Sequence, residues 1–421
     1  ADCNRIFRQL ATFLSGRNDW LEEIFRYSPF AEKSTSFRLA EIMTDLREPA
    51  PESGALPIFS AAAATAEPKP RPRRAPKSSQ PDLFLVGAGV YGCGFILQFL
   101  RGTHHRMLID ADPVIAARVG ELFHFEEVDT DVPRGLQALA GNDNAVLCIA
   151  TYHSTHLAIV EEALRINSNV RIFLEKPPVT TFDQLNRLLE LRANGADIEI
   201  GYNRRSLAMV KRSRRFFGDT GQPFLVVALV KELNLPDFHW YYWPNQKTRV
   251  TGNLCHWIDL GCVFITSRPV EIFVIPHPQK RAGDEIDVVI IFADGSKISL
   301  HSTDYGDPLR GVQEYLDIRS GAKTVVIDDF LRLTMSGDGC RRVRNFWFRN
   351  KGHADMYKQY AKAIRGPRCP SCYSNEDLRR VTVAYLAVSE MCQNRVTHAR
   401  IDWQGDHYDL IMDHHGEAVK N

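Results

Sequence analysis

A glycine-rich turn between an apolar strand and an apolar helix constrains the fold of this chain most. The run LFLV at 83–86 precedes the turn, and FILQFL at 95–100 follows it. In this setting the first glycine makes the tight turn, the second lets a pyrophosphate approach the backbone, and the third lets helix and strand pack closely. The helix N-terminus offers N–H groups to the anion. We therefore predict a dinucleotide site at Gly87, Gly89, Val90, Tyr91 and Gly92.

Short apolar runs alternate with amphipathic helices up to residue 200. The runs lie at 83–86, 107–109, 145–150, 170–174 and 198–200. They lack polar alternation, as expected for parallel strands that are covered on both faces. One intervening helix follows the pattern THLAIVEEALRI, and the next begins at a capping box of Thr181 and Gln184 and stops at Gly195. This alternation predicts an α/β fold, with a doubly wound parallel Rossmann sheet over 82–200.

The pattern changes after Gly201, where strand-like runs alternate with a period of two. The runs are FLVVALV, VEIFVI, EIDVVIIF, KISLHST, EYLDIRS and KTVVIDD. Period-two alternation is typical of strands with one buried face. We therefore predict a second α/β domain over 201–395 with a large, mostly antiparallel open sheet, with helices at 352–366 and 374–395. Residues 396–421 are assigned to a tail.

The N-terminal part differs in composition from the rest. Residues 1–46 have apolar residues at helical spacing and predict a short helical extension. Residues 47–81 are rich in Pro and Ala, include the basic stretch PKPRPRRAPKSSQP and predict a flexible linker. The basic cluster has two interpretations, a solvated linker or a contact with nucleic acid. Because 52 Lys and Arg stand against 51 Asp and Glu, the folded part offers no basic excess to nucleic acid.

The use of cysteines and the length of the apolar runs predict the cellular compartment. The nine cysteines are scattered, and some, such as Cys148 and Cys255, lie in apolar segments, which favours a reducing cytoplasm. Cys369 and Cys372 form one CxxC pair, but no second pair completes a zinc set, so no metal is predicted. No apolar run approaches the roughly 18 residues that span a bilayer, and no signal peptide opens the chain. A cytoplasmic protein without a membrane partner is expected.

An acid at the end of the second strand bears on cofactor choice. Asp110 follows Ile109 at the distance where an acid accepts hydrogen bonds from the adenosine ribose and repels a 2′-phosphate. This favours NAD over NADP. Alternatively, Asp110 caps the helix that begins near Pro113, and Asp112 shares or takes the ribose role.

A lysine stands at the end of the strand over 170–174, in the sequence Glu175-Lys176-Pro177. Ligands of open parallel sheets bind outside the carboxyl ends of the strands, so Lys176 is placed to meet a nicotinamide and a reacting carbon. The other interpretation is a surface lysine that is paired with a neighbouring acid.

Several separated motifs resemble one family in their order and spacing. They are GAGVYG at 87–92, IATYHSTH at 149–156, EKP at 175–177, GYNRR at 201–205, HWIDL at 256–260 and KGHADMYKQYAKAIRG at 351–366. Together they resemble the Gfo/Idh/MocA oxidoreductases, which include glucose–fructose oxidoreductase and inositol dehydrogenase. The resemblance covers roughly 82–395 and leaves the N-terminal segments unassigned.

The resemblance implies hydride transfer between nicotinamide and a hydroxyl or keto carbon of a sugar, nucleotide sugar or polyol. It implies that Lys176 binds the reacting oxygen, that His256 is the acid/base and that Asp259 orients the imidazole or caps the dyad. His256 also fits a core histidine, since Trp257 and its neighbours are apolar. Further cofactor contacts are implied at Thr151, His156, Glu175 and Lys176. The resemblance further implies a homo-oligomer formed through the C-terminal sheet.

The chain departs from that family at one position. Many polyol-oxidising members carry an acid four residues before the histidine, where this chain has Gly252 followed by Asn253. The run GNLCHWIDL looks closer to relatives from surface-polysaccharide or nucleotide-sugar pathways. The substrate therefore stays open at this point.

Further residues are candidates for the substrate pocket. Arg204 and Arg205 either clamp a carboxylate or phosphate or form ion pairs at the domain junction. Trp240 and Tyr242 belong to the cluster HWYYWPN, which either stacks on a sugar ring or forms a plug or dimer contact. Asn253 completes the predicted pocket. A non-catalytic NAD-binding sensor is the alternative function, but it would need neither Lys176 nor His256.

Overall fold

The computed structural model describes residues 80–413 except 90, 236–238, 243–245, 247, 282, 307–309, 367–370 and 372. The predicted helical extension over 1–46, nearly all of the predicted linker, Val90, Trp243, and the Cys369–Cys372 pair lie outside the described residues.

The first sheet is built from six parallel strands. They are β1 Asp82–Val86, β2 His104–Ile109, β3 Glu127–Asp129, β4 Ala145–Ile149, β5 Arg171–Glu175 and β6 Ile198–Gly201. The strand order is β3-β2-β1-β4-β5-β6. Every residue of β4 is buried, as its unbroken apolar sequence requires. The order reverses between β1 and β4, so a ligand crevice is expected at their carboxyl ends, and the predicted doubly wound fold is confirmed.

Helices cover the faces of this sheet. They are α1, a π-helical segment Gly92–Ile96 continued by Leu97–Phe99, α2 Pro113–Phe123, α3 Val132–Leu136, α4 His156–Ile166 and α5 Phe182–Ala193. The Thr181 hydroxyl accepts a hydrogen bond from the Gln184 N–H, so the predicted cap begins α5. Strand β3 was not predicted because its three residues, EVD, carry no apolar run.

The second sheet contains ten strands. They are β7 Leu225–Lys231, β8 Pro269–Pro276, β9 Ile286–Phe292, β10 Lys297–Thr303, β11 Gln313–Ser320, β12 Lys323–Asp328, β13 Arg332–Gly337, β14 Cys340–Asn345, β15 His398–Gln404 and β16 His407–Met412. Their order is β14-β13-β12-β11-β7-β10-β9-β8-β15-β16. Strands β7 and β10 pair in parallel and the remaining described pairs are antiparallel, which confirms the mostly antiparallel sheet.

The residues of β7 alternate between buried and exposed, so one face of the second sheet is covered. Helices α6 Ala208–Phe217, α7 Cys255–Cys262, α8 His353–Ala363 and α9 Asn375–Asn394 complete the fold. Every residue of α7 is buried, and α7 packs against α9 and β10.

Two elements correct the predicted domain limits. The segment assigned to a tail contains the hairpin β15–β16, and β15 pairs with β8 and extends the sheet. The short runs HARIDWQ and HYDLIM have apolar residues at alternate positions, which is the signal for a half-buried strand. Helix α8 was assigned to the second domain, but Tyr357 and Tyr360 pack on Phe173 in the Rossmann core.

Candidate active site at the strand ends

The glycines of the turn are needed for two reasons, the packing of the protein itself and open space for a ligand. Gly87 has φ +92, and a Cβ there would lie 2.4 Å from the Ala150 carbonyl oxygen. A Cβ on Gly92 would lie 2.1 Å from the Gly87 carbonyl oxygen, so packing of the protein itself excludes side chains at both positions. A Cβ on Gly89 would meet no described atom within 4 Å. That open space beside the backbone fits the pyrophosphate of a dinucleotide.

Asp110 lies next to this turn. Its carboxylate accepts hydrogen bonds from the Ala88 N–H at 2.6 Å and from the Asp112 N–H at 3.0 Å. Asp112 is the residue that caps α2, because it accepts from the N–H groups of Val114 and Ile115. The structure thus gives the cap to Asp112 and leaves Asp110 braced against the glycine turn.

Lys176 is buried at the end of β5, which excludes the surface ion pair as its role. Its Nζ donates a hydrogen bond of 2.8 Å to the Gly252 carbonyl oxygen and lies 5.5 Å from the centroid of the Tyr91 ring. Burial lowers the pKa of Lys176. The amine therefore lies where the glycine turn meets the second domain.

The Glu175 side chain contacts both Lys176 and α8. The Tyr357 hydroxyl donates to the Glu175 carboxylate, and the Lys176 N–H donates to it at 3.2 Å. Burial raises the pKa of Glu175 to about 7, although both of these neighbours oppose the rise. Its carboxylate thus holds α8 against the end of β5, whereas the sequence assigned it to the cofactor.

His156 and Thr151 frame the same strand ends. The two ring nitrogens of His156 lie 2.9 Å from the Pro177 carbonyl oxygen and 3.2 Å from the Thr151 carbonyl oxygen. Burial lowers the pKa of His156 to about 4, so the ring is neutral near pH 7. The Thr151 hydroxyl is hydrogen-bonded to Thr155 at 2.8 Å. A neutral ring carries a single N–H, so His156 donates to one of these two carbonyl oxygens, and it lies between the loops that follow β4 and β5.

His256 lies at the start of α7, directly after the π-helical turn Val250–Leu254. The ring is buried, and its Nδ1 has no hydrogen-bond partner among the described residues. Burial holds its pKa well below the usual range, and the charges of Arg204 and Lys176 add to this. His256 is therefore a neutral imidazole with one ring nitrogen available.

Asp259 contacts a different partner from the one predicted. It accepts hydrogen bonds from Arg205 Nε at 2.7 Å and from the Tyr373 hydroxyl at 3.0 Å. Within the described residues, no hydrogen bond joins it to His256. The expectation that Asp259 orients the imidazole is therefore corrected, because its carboxylate is held by Arg205 and Tyr373.

Arg204 also lies in an ion pair. Its Nε and Nη2 donate to the two oxygens of Glu314 at 2.8 Å each, and its guanidinium stacks 4.8 Å from the centroid of the Trp257 ring. Lys351 approaches the same carboxylate at 2.9 Å. Burial alone would raise the pKa of Glu314, but Arg204 and Lys351 lower it to about 2. Both arginines thus follow the junction ion-pair interpretation rather than the substrate clamp.

The remaining predicted pocket residues lie in two segments, the helical turn Trp240–Tyr242 and the π-helical turn Val250–Leu254. The Asn253 amide donates to Glu232, a buried acid that follows β7 and that the sequence reasoning missed. Tyr242 donates to the carboxylate of Asp284 at 3.0 Å. Trp240 lies in the helical turn Trp240–Tyr242. The signal for Glu232 was present, since it ends an apolar strand much as Lys176 does.

Comparison with known proteins places a family likeness in the first domain. Residues 83–198 match the model of an oxidoreductase family with an NAD-binding Rossmann fold, Gfo/Idh/MocA. The first domain is therefore similar to that family, and the match covers less than a third of the chain. The YteT protein of Bacillus subtilis (strain 168), described as an oxidoreductase, is 25% identical in an alignment of 194 positions that covers 41% of this chain and 42% of that protein. The match thus spans less than half of that relative's length.

Solved structures extend the likeness beyond the Gfo/Idh/MocA domain. Myo-inositol dehydrogenase from Lactobacillus casei, solved with NAD(H) and myo-inositol, has a TM-score of 0.63 at 16% identity and covers 77% of this chain and 98% of its own. GenD2 from gentamicin A biosynthesis, solved with NAD, has a TM-score of 0.64 at 17% identity and covers 80% and 100%. At these identities the likeness shows that both domains share the fold.

The described part of the chain lacks two further features. No helix there is long and apolar enough to cross a membrane. The same residues contain no group of three or more His, Cys, Asp or Glu side chains that could hold a metal ion.

Proposed function

We propose that this chain is an NAD(H)-dependent oxidoreductase that transfers a hydride between nicotinamide and the hydroxyl or keto carbon of a sugar, nucleotide sugar or related polyol. The observation that carries this proposal is the buried Lys176 amine. It lies at the carboxyl end of β5, beside the glycine turn, and reaches a carbonyl of the second domain. A catalytic lysine is expected at such a junction between a cofactor and a second substrate.

The residues present fit a dinucleotide. Gly87, Gly89 and Gly92 would hold the pyrophosphate, with Tyr91 beside them, and Asp110 would bind the adenosine ribose. When bound, NAD supplies the hydride acceptor or donor. The open space at Gly89 is the feature of the chain that favours this assignment.

Lys176 is proposed to bind the reacting oxygen. Because burial lowers its pKa, the ammonium gives up a proton more readily than an exposed lysine does. A substrate oxygen that replaces the Gly252 carbonyl would receive the same N–H donor. The family resemblance gives the acid/base role to His256, whose neutral ring keeps a nitrogen available for a hydrogen bond to the substrate.

Replacement of Lys176 by alanine tests this function. We expect kcat to fall roughly 10²–10⁴-fold with any compound that turns over in a screen of sugars and nucleotide sugars, monitored by NADH absorbance. The affinity for NADH, measured by fluorescence, should stay within a few-fold. The exposed Lys297→Ala is the matched control and should keep wild-type kcat. Wild-type turnover by Lys176→Ala would remove the assignment, and NADH binding without any turnover by the wild type would favour a sensor.

Cofactor choice is tested separately at Asp110. An acid at the ribose repels the 2′-phosphate of NADPH, so NADH is expected to bind at least about tenfold more tightly. Asp110→Asn should narrow this difference in the same fluorescence titration. Tighter NADPH binding by the wild-type protein would contradict the proposed ribose contact.

The second sheet supports a proposal about assembly. Apolar side chains lie exposed on its strands, among them Leu229, Ile275 and Tyr315. Exposed apolar patches of this kind mark association surfaces. A homo-oligomer that forms through this sheet therefore belongs to the proposal.

A further inference from the structure

The proton released in the proposed reaction needs an acceptor, and His256 is poorly suited to hold it. Oxidation of a hydroxyl carbon frees the hydroxyl proton inside the site. Protonated His256 would be a buried cation near Arg204, Lys176 and Lys351, all of which hold its pKa down. A group that becomes neutral on protonation meets this need better, because a neutral product costs less in a buried, cationic site.

Glu232 is a buried carboxylate whose charge acts on the Lys176 amine. Its backbone follows β7, where its N–H donates to the Thr303 carbonyl oxygen at 2.7 Å. Its carboxylate accepts a hydrogen bond from the Asn253 amide. The preceding residue, Gly252, holds Lys176 Nζ at 2.8 Å through its carbonyl oxygen. Two consecutive residues of one π-helical turn therefore hold the amine and the carboxylate.

The helix cannot supply an acid of its own at position 252. A Cβ there would lie 2.9 Å from Cε1 and 3.0 Å from Cζ of the Tyr241 ring. The Tyr241 hydroxyl also donates to the Gly252 carbonyl oxygen at 3.4 Å. The space that a side chain at 252 would need is thus filled, and a carboxylate has to reach this turn from another strand.

The charges around Glu232 fit a proton acceptor. Burial raises its pKa above the usual range and Glu314 adds to the rise, while Arg249, Lys351 and Arg204 oppose it. Glu232 in turn raises the pKa of Lys176, as do Cys255 and Glu175, against burial and Arg204. The charge of the Glu232 carboxylate therefore favours the protonated form of the Lys176 amine.

We propose that Glu232 is the carboxylate of this active site and accepts the proton of the substrate hydroxyl while Lys176 binds the oxygen. This proposal rests on the proposed function. In the oxidation, the substrate O–H bond breaks and its proton forms the O–H bond of the Glu232 carboxyl group. The C–H bond breaks with its electron pair, which leaves as hydride for the oxidised nicotinamide, and the carbon becomes a carbonyl. Reduction runs these steps in reverse.

Glu232→Gln tests the step directly. Glutamine keeps an oxygen that accepts from Asn253 but cannot take up a proton. With a compound from the screen, we expect kcat to fall roughly 10²-fold or more and the limb of the pH–rate profile that belongs to the essential base to disappear. Glu232→Asp keeps an ionisable group and should retain that limb. Glu376→Gln on α9, which alters an acid paired with Arg268, is the control and should keep kcat.

A second measurement needs no substrate. Formaldehyde with a borane reductant methylates neutral amines, and peptide mass spectrometry reports the methylation of Lys176 as pH is varied. Loss of the Glu232 charge should move the midpoint for Lys176 to lower pH and raise its rate at pH 7 several-fold. Equal midpoints in Glu232→Gln and wild type would overturn the proposal, as would kcat within twofold of wild type.

The two failures remain distinguishable. If the wild type binds NADH but turns over no sugar or nucleotide sugar, the proposed function fails, and the methylation midpoint alone then decides whether Glu232 governs Lys176. If the wild type is active and Glu232→Gln is equally active, the function stands and the assignment of Glu232 falls.

Discussion

The proposed cofactor side and the proposed substrate side of the candidate site are built in different ways. The cofactor side is one short turn of the chain, in which Gly87 and Gly92 have no room for a side chain and Gly89 leaves open space beside the backbone. The substrate side combines Lys176, Glu232, Gly252 and His256 from segments far apart in the chain. The first depends on local conformation, whereas the second depends on buried charges that need one another.

The buried ion pair of Arg204 and Glu314, whose guanidinium charge also acts on Lys176 and His256, gives the largest expected effect on stability. Glu314→Gln would leave Arg204 and Lys351 without their shared carboxylate. A buried charge that loses its partner costs roughly 3–5 kcal/mol, so the free energy of unfolding from urea titration should fall by about that amount. Asp317→Asn, which breaks the more exposed pair with Arg319, should cost about 1 kcal/mol or less. If both variants lose similar amounts of unfolding free energy, the buried charges are no more important to stability than the exposed ones.

Glu175 links stability to pH at the boundary of the two sides. Burial raises its folded-state pKa from 4.5 to about 7, so the folded protein binds this proton more tightly than the unfolded chain does. Its contribution to stability is full below pH 4.5 and is lost as pH rises through about 7. Between pH 5 and pH 8, wild type should lose on the order of 2 kcal/mol relative to Glu175→Gln. If the unfolding free energies of wild type and Glu175→Gln change with pH in parallel, Glu175 does not bind the extra proton in the folded state.

Variants of two glycines distinguish effects on folding from effects on NADH binding on the cofactor side. Gly87→Ala meets the Ala150 carbonyl at a positive φ, so it should cost roughly 1–3 kcal/mol of stability and impair NADH binding. Gly89→Ala meets no described atom, so its unfolding free energy should stay within about 0.5 kcal/mol of wild type. Its NADH affinity should nevertheless fall at least about tenfold. Unchanged affinity in Gly89→Ala would move the pyrophosphate away from this turn.

The same contrast explains what the sequence could predict. The glycine turn, the strand-end Lys176 and the unbroken apolar strands are local patterns, and the fold confirmed them. Asp259 lies one helical turn from His256, but helical spacing could not show that Arg205 and Tyr373 hold its carboxylate. Glu232 and Asn253 are 21 residues apart, and their contact depends on how the end of β7 meets the π-helical turn before α7. A contact between residues so far apart cannot be predicted from any short stretch of the sequence.

The docking of α8 on the first sheet has a consequence for the independence of the domains. Tyr357 and Tyr360 cover Phe173, and the Tyr357 hydroxyl meets Glu175, although α8 comes more than 150 residues after β6. A fragment that ends near residue 200 would bare this aromatic surface and strip a buried acid of its donor. The nucleotide-binding half is therefore completed by the last third of the chain, and it is not a module that can be excised at its sequence boundary.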